Sequence, residues 1–144
     1  MFKIVFLFSI SFFVYTIEAA CPNGMIPILN ETKCLYQSPD YQDADQAILI
    51  CQQIGGQNAG LAKIDNSFEN GFAWQLIRNL APFLIGVKQT ANGVWTQWDG
   101  KPLTYTNWAP GEPNSIVGCA AIDSSNGQWK AVNCYFRNSY FCTV

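Results

Sequence analysis

Histidine is absent from all 144 residues, and that absence removes most nucleophilic and much metal chemistry. Ser-His-Asp and Cys-His systems need an imidazole as base, and the common histidine metal sites need it as ligand. Charge is scarce as well: 12% of residues are charged, eight Lys or Arg against ten Asp or Glu. The net charge of −2 is scattered, and no basic run exists to neutralise phosphates, which excludes nucleic acid as a partner class. No Cys-x-x-Cys pair occurs, which argues against a zinc ribbon or a thioredoxin-like centre. No paired-carboxylate constellation stands out for acid–base work. Repeats, low-complexity tracts and linkers are missing too, and only one long apolar run is present. The absences point away from an enzyme.

That one run lies at the N-terminus. Met1-Phe2-Lys3 supplies a positive charge, Ile4 to Val14 is apolar but for Ser9 and Ser11, and Ala19-Ala20 precede Cys21. A charged start, a short apolar stretch and a small-residue exit predict a secretory signal peptide over residues 1–20. The run is too short for a bilayer, which takes ~20 apolar residues. Residues 21–144 then form one domain of normal size, able to bury a real core. They contain no membrane span, and the expected location is extracellular.

All six cysteines, Cys21, Cys34, Cys51, Cys119, Cys134 and Cys142, lie beyond that leader. An even count in a secreted domain reads as a disulfide framework, although the count alone does not choose the pairing. Asn30-Glu31-Thr32 is an N-glycosylation sequon in a polar stretch, so modification of Asn30 is expected.

Local patterns predict an α+β domain. Cys34-Leu35-Tyr36 reads as a strand edge. Asp43, with Gln46 three residues on, caps a first helix whose Ala44, Ala47, Ile48, Cys51 and Ile54 share one face, and Gly55-Gly56 closes it. Leu61-Ala62-Lys63-Ile64 alternates as a short strand. Asn66 and Glu69 repeat the cap spacing for a second helix, with Phe68, Phe72, Leu76 and Leu80 as its expected buried stripe and Pro82 as its stop. Strands follow at Phe83–Val87 and Val94–Trp98, then a tight turn at Asp99-Gly100. Residues 104–118 form a long loop rich in Asn, Pro and Gly. Strands around 119–122 and 128–132 flank the turn-like Asp123–Gly127, and Tyr140-Phe141-Cys142 ends the domain as a strand.

The order of these landmarks resembles the C-type lectin-like domain family over essentially all of residues 21–144. The residues that carry it are Cys51, the Gly-Gly pair, Leu61-Ala62-Lys63-Ile64, Glu69-Asn70, Leu84-Ile85-Gly86, Asn107-Trp108-Ala109-Pro110-Gly111-Glu112-Pro113-Asn114, Cys119, Trp129, Cys134 and Cys142. The resemblance implies two helices packed on short antiparallel sheets with a long loop region, stapled by Cys51–Cys142, Cys119–Cys134 and an N-terminal Cys21–Cys34 bridge.

It also implies a binding function. In sugar-binding members the long loop holds a calcium ion that the sugar's hydroxyls coordinate. Glu112 and Asn114 would be two of its ligands, with Pro113 as a cis proline that shapes the loop, and the triplet is the mannose- or glucose-type version. The rest of the cage departs from the pattern. Ser115-Ile116-Val117-Gly118 offers no carboxylate, and Trp129-Lys130-Ala131 stands where the family has Trp-Asn-Asp. Calcium takes six to eight oxygen ligands, so a degenerate calcium site is expected, with Lys130 as an internal charge partner of Glu112. Asp123 and Asn133 are the residues left that could substitute. Trp95, Trp98, Trp108 and Trp129 are expected to pack rather than to stack on sugars. The implied protein is a secreted glycan-binding lectin with a role in innate immunity. The alternative is a calcium-independent domain that binds a protein, lipid or other surface.

Overall fold

A computed structural model describes residues 21–144 except 23, 29–31 and 115–117. The expected signal peptide and the Asn30 sequon lie outside the described residues. Two helices and eight strands follow in the order β1 (Ile26–Ile28), β2 (Lys33–Gln37), α1 (Ala44–Gly55), β3 (Gly60–Leu61), α2 (Ser67–Ile77), β4 (Phe83–Gln89), β5 (Trp95–Gln97), β6 (Cys119–Ile122), β7 (Trp129–Val132) and β8 (Ser139–Thr143).

α1 forms where its cap, its apolar face and its stop agree. The Asp43 carboxylate accepts the Gln46 N–H at 2.9 Å, which satisfies an amide that the first turn leaves free. Ala44, Ala47 and Cys51 are buried on the inner face. Gly56, at φ 85°, ends the helix, and its own N–H donates to the Gln52 carbonyl.

α2 has its expected cap, Asn66 accepting from the Glu69 N–H at 2.9 Å, but only half of its expected face, Phe72 and Leu76 packing partly buried against the core. Phe68 is 59% exposed and Leu80, beyond the helix end, is 50% exposed. The buried residues are Glu69, Asn70, Ala73 and Ile77. Burial of the two polar ones is possible because each is fully engaged. Glu69 accepts from Lys33 Nζ at 2.6 Å, from the Asp65 N–H at 2.9 Å and from Asn66 Nδ2 at 3.1 Å. Asn70 accepts the Trp129 indole N–H at 2.7 Å and donates to the Gly127 carbonyl at 2.9 Å.

The strands join in the order β1-β2-β8-β4-β6-β7, with β3 also on β8 and β5 also on β4. Pairing is antiparallel except between β4 and β8, which run parallel from Phe83 opposite Ser139. Alternation along the central strands divides the interior into two clusters. Phe83, Ile85, Val87 and Phe141 face one, with Trp129 and Ile77. Leu84, Tyr140 and Cys142 face the other, with Ala47 and Cys51 of α1. At Gly86 the chain passes so close to β3 that a Cβ would lie 2.3 Å from the Leu61 carbonyl oxygen. This is the physical requirement behind the glycine of Leu84-Ile85-Gly86.

Three disulfides fix the layers. Cys51–Cys142 ties α1 to β8 across 91 residues, Cys119–Cys134 ties β6 to the segment after β7, and Cys21–Cys34 holds the N-terminal hairpin to β2.

Candidate ligand-binding site

The long loop is irregular between residues 104 and 114 but is pinned from below. The Ala109 N–H donates to the Trp129 carbonyl at 2.9 Å, and the Trp129 N–H donates to the Asn107 carbonyl at 2.7 Å. Asn107 Nδ2 reaches the Gly127 carbonyl at 2.9 Å, the oxygen that Asn70 also uses. The aromatics of this region pack on one another edge to face. Trp108 lies 5.6 Å from Trp129 and 4.9 Å from Trp95, centroid to centroid, and Tyr105 lies 5.8 Å from Trp129. Trp95, Trp108 and Trp129 are therefore committed to the loop's foundation.

Above this cluster the loop turns through Glu112, the cis peptide Glu112–Pro113, and Asn114. One oxygen of the Glu112 carboxylate, Oε2, accepts two backbone amides, Asn114 N–H at 3.0 Å and Ala131 N–H at 3.1 Å. The second bond ties the loop to β7. Glu112 and Lys130 are thus on neighbouring elements, but they are not each other's hydrogen-bond partners.

The expected Lys130–Glu112 pair is replaced by Lys130–Asp123. The reason is register. Lys130 stands opposite Ala121 in the β6–β7 ladder, which places its side chain beside Asp123, two residues further along. Asp123 Oδ1 meanwhile accepts the Ser125 N–H at 2.8 Å and the Ser125 hydroxyl at 2.6 Å. Lys130 and Ser125 together hold the Asp123 carboxyl down to about 2. The Lys130 ammonium is held protonated above its ordinary range, chiefly by Asp123, with the Glu112 charge a smaller contribution. Hairpin geometry across the 123–127 turn was the sequence signal that could have found Asp123.

These donors do not fit a calcium ion. Of the two side chains expected to coordinate it, Glu112 has one oxygen already accepting two amides. Asp123 is bound to an ammonium, and Ala131 brings no side-chain oxygen. Among the described residues no group of three or more His, Cys, Asp or Glu is placed to hold a metal.

Sequence reasoning missed Lys33, whose ammonium bridges Glu69 and Asp65 at 2.6 and 3.0 Å from a strand more than thirty residues upstream. Trp98 packs as expected, but against the second core cluster. Trp98 stands apart from the Trp95–Trp108–Trp129 cluster, half-buried, with Lys88 Nζ 4.7 Å above its ring.

Comparison with known proteins yields one consistent picture. The family profile "Lectin C-type domain" matches residues 40–144. Human C-type lectin domain family 17, member A is 33% identical over 126 residues, covering 85% of this chain and 32% of its own length. Pig pulmonary surfactant-associated protein D is 37% identical over 101 residues, covering 65% of this chain and 25% of its own length. The chain thus spans a third or less of the length of these curated relatives. Among solved structures, human lithostathine superposes with a TM-score of 0.75 at 26% identity, covering 85% of this chain and 98% of that one. The cow C-type carbohydrate-recognition domain of CD23, solved in the presence of a GlcNAc2Man3 oligosaccharide, also gives 0.75 at 26% identity, over 87% of this chain and 95% of that one.

Proposed function

Because the chain belongs to the C-type lectin domain family, we propose that it is a secreted glycan-binding protein whose recognition does not run through a bound calcium ion. The observation that carries this reading is the Glu112 carboxylate. Its Oε2 accepts the backbone N–H groups of Asn114 and Ala131, while Lys130 and Asp123 on the neighbouring hairpin are paired with each other. The loop keeps the family's shape through its own hydrogen bonds. Relatives described as carbohydrate-recognition domains support the glycan, and the leader-like residues 1–20 with three disulfides support secretion. Among the described residues no helix is long and apolar enough to cross a membrane. A part in innate immunity is the family-level extension of the proposal.

Calorimetric titration of the oxidised, secreted protein with calcium tests it, alongside the variant Lys130→Asn/Ala131→Asp. The expected result is no saturable calcium binding by the unmodified protein and glycan-array signals that survive a chelator. Saturable calcium binding, with signals lost on chelation, overturns it. A second reading, recognition of a protein or lipid surface, has in its favour Tyr135 and Phe136, 83% and 68% exposed on one turn. An array with no bound glycan would favour that reading.

A further inference from the structure

Two depressions open along the side of the domain that carries α1, and neither is lined by Glu112, Asn114 or Lys130. One, of about 360 Å³, has Asp45, Lys88, Gln89, Asn133 and Tyr135 in its walls. The other, of about 470 Å³, has Gln52, Gln57, Asn58, Lys63 and Lys101. Trp98 lines both. α1 contributes Asp45 to the first and Ile48 and Gln52 to the second, three residues spaced as one helix face. At 1.5 Å per residue the three span about 10 Å of the helix, the length of a short oligosaccharide rather than a single ring.

The lining has the chemistry of a polyol site. Trp98 lies outside the loop cluster, partly buried against the second core cluster, and its backbone N–H donates to the Gly86 carbonyl at 2.8 Å. The side-chain amides of Gln52, Gln57 and Asn58 are exposed and take part in no hydrogen bond among the described residues. Each offers a donor pair and an acceptor. The charges nearly cancel. Asp99 accepts from Lys63 at 3.3 Å and from Lys101 at 3.2 Å, and Asp45 faces the depression that holds Lys88. A groove with an aromatic platform, free amides and no net field of one sign suits a neutral hydroxylated ligand over an anion or an apolar peptide.

We propose that this groove is a calcium-independent saccharide site. A short neutral oligosaccharide lies along α1 with ring C–H groups against Trp98 and hydroxyls bonded to Gln52, Gln57 and Asn58. The inference rests on the glycan reading above and moves the site off the long loop.

Mannotriose, maltotriose and chitotriose are the probes, titrated into the secreted protein in the presence of a chelator and followed by calorimetry. Binding of at least one is expected, weakened by about tenfold or more in Trp98→Ala. Gln52→Ala/Asn58→Ala changes only exposed side chains and is expected to weaken it similarly with the fold intact by circular dichroism. Loss of binding in Asn114→Asp, with unchanged affinity in both groove variants, overturns this site and leaves the glycan reading standing. No binding of any probe at millimolar concentration overturns both.

Discussion

Glu69 and Glu112 both sit where the chain resembles its family, and both accept backbone amides, yet their surroundings differ in kind. Glu69 is 3% exposed beneath the start of α2 and is held by an ammonium, a backbone N–H and an amide side chain. Glu112 stands half-buried on the rim with two backbone N–H groups, while the cation nearest to it in design, Lys130, is bound elsewhere. The buried carboxylate is part of the scaffold and depends on its cation. The rim carboxylate holds a loop in shape without one, and that independence makes a calcium-free version of this fold physically reasonable.

The contrast can be broken most forcefully at Lys33. Lys33→Met leaves Glu69 buried without its ammonium and is expected to cost about 3–5 kcal/mol in urea unfolding, with part of the loss recovered in Lys33→Met/Glu69→Leu. An effect below about 1 kcal/mol, the value of an exposed pair, would show that the two carboxylates are equivalent after all. Glu112→Ala removes two charge-assisted hydrogen bonds at a partly solvated site and is expected to cost about 1–2 kcal/mol, with faster amide exchange at Ala131 as its local signature. The smallest effect belongs to Lys130. Asp123 has a lower pKa folded than unfolded, so its stabilisation is fully present above about pH 4 and is lost as pH falls toward the folded value of about 2. Lys130→Met should flatten that acid-side slope while costing under about 1 kcal/mol at neutral pH, because Lys130 is half-exposed.

How much of this was legible in the sequence depended on range. α1 could be read because Asp43, the alanine-rich face and Gly56 act within a few residues of one another. The α2 stripe was half right, Phe72 and Leu76 packing on the core, but periodicity assigns polar residues to solvent, whereas Glu69 and Asn70 are buried by partners on other elements, Lys33, Trp129 and Gly127. No local pattern announces a hydrogen bond across 59 residues. The loop landmarks were visible as a motif, but the partner of Lys130 was not, because the β6–β7 register decides it. Trp98 packs as expected, but the cluster it joins was not legible, because spacing does not reveal its neighbours.

β8 comes last in sequence among the elements and yet lies between β2 and β4, receives β3 as well, and carries Cys142 to Cys51. During synthesis every other element must therefore leave the ribosome and wait with an unfilled slot at the centre of its sheet. Folding of this domain cannot be completed progressively from its N-terminus. Until residues 139–143 arrive, β2 and β4 lack the strand that joins them and Cys51 lacks its disulfide partner.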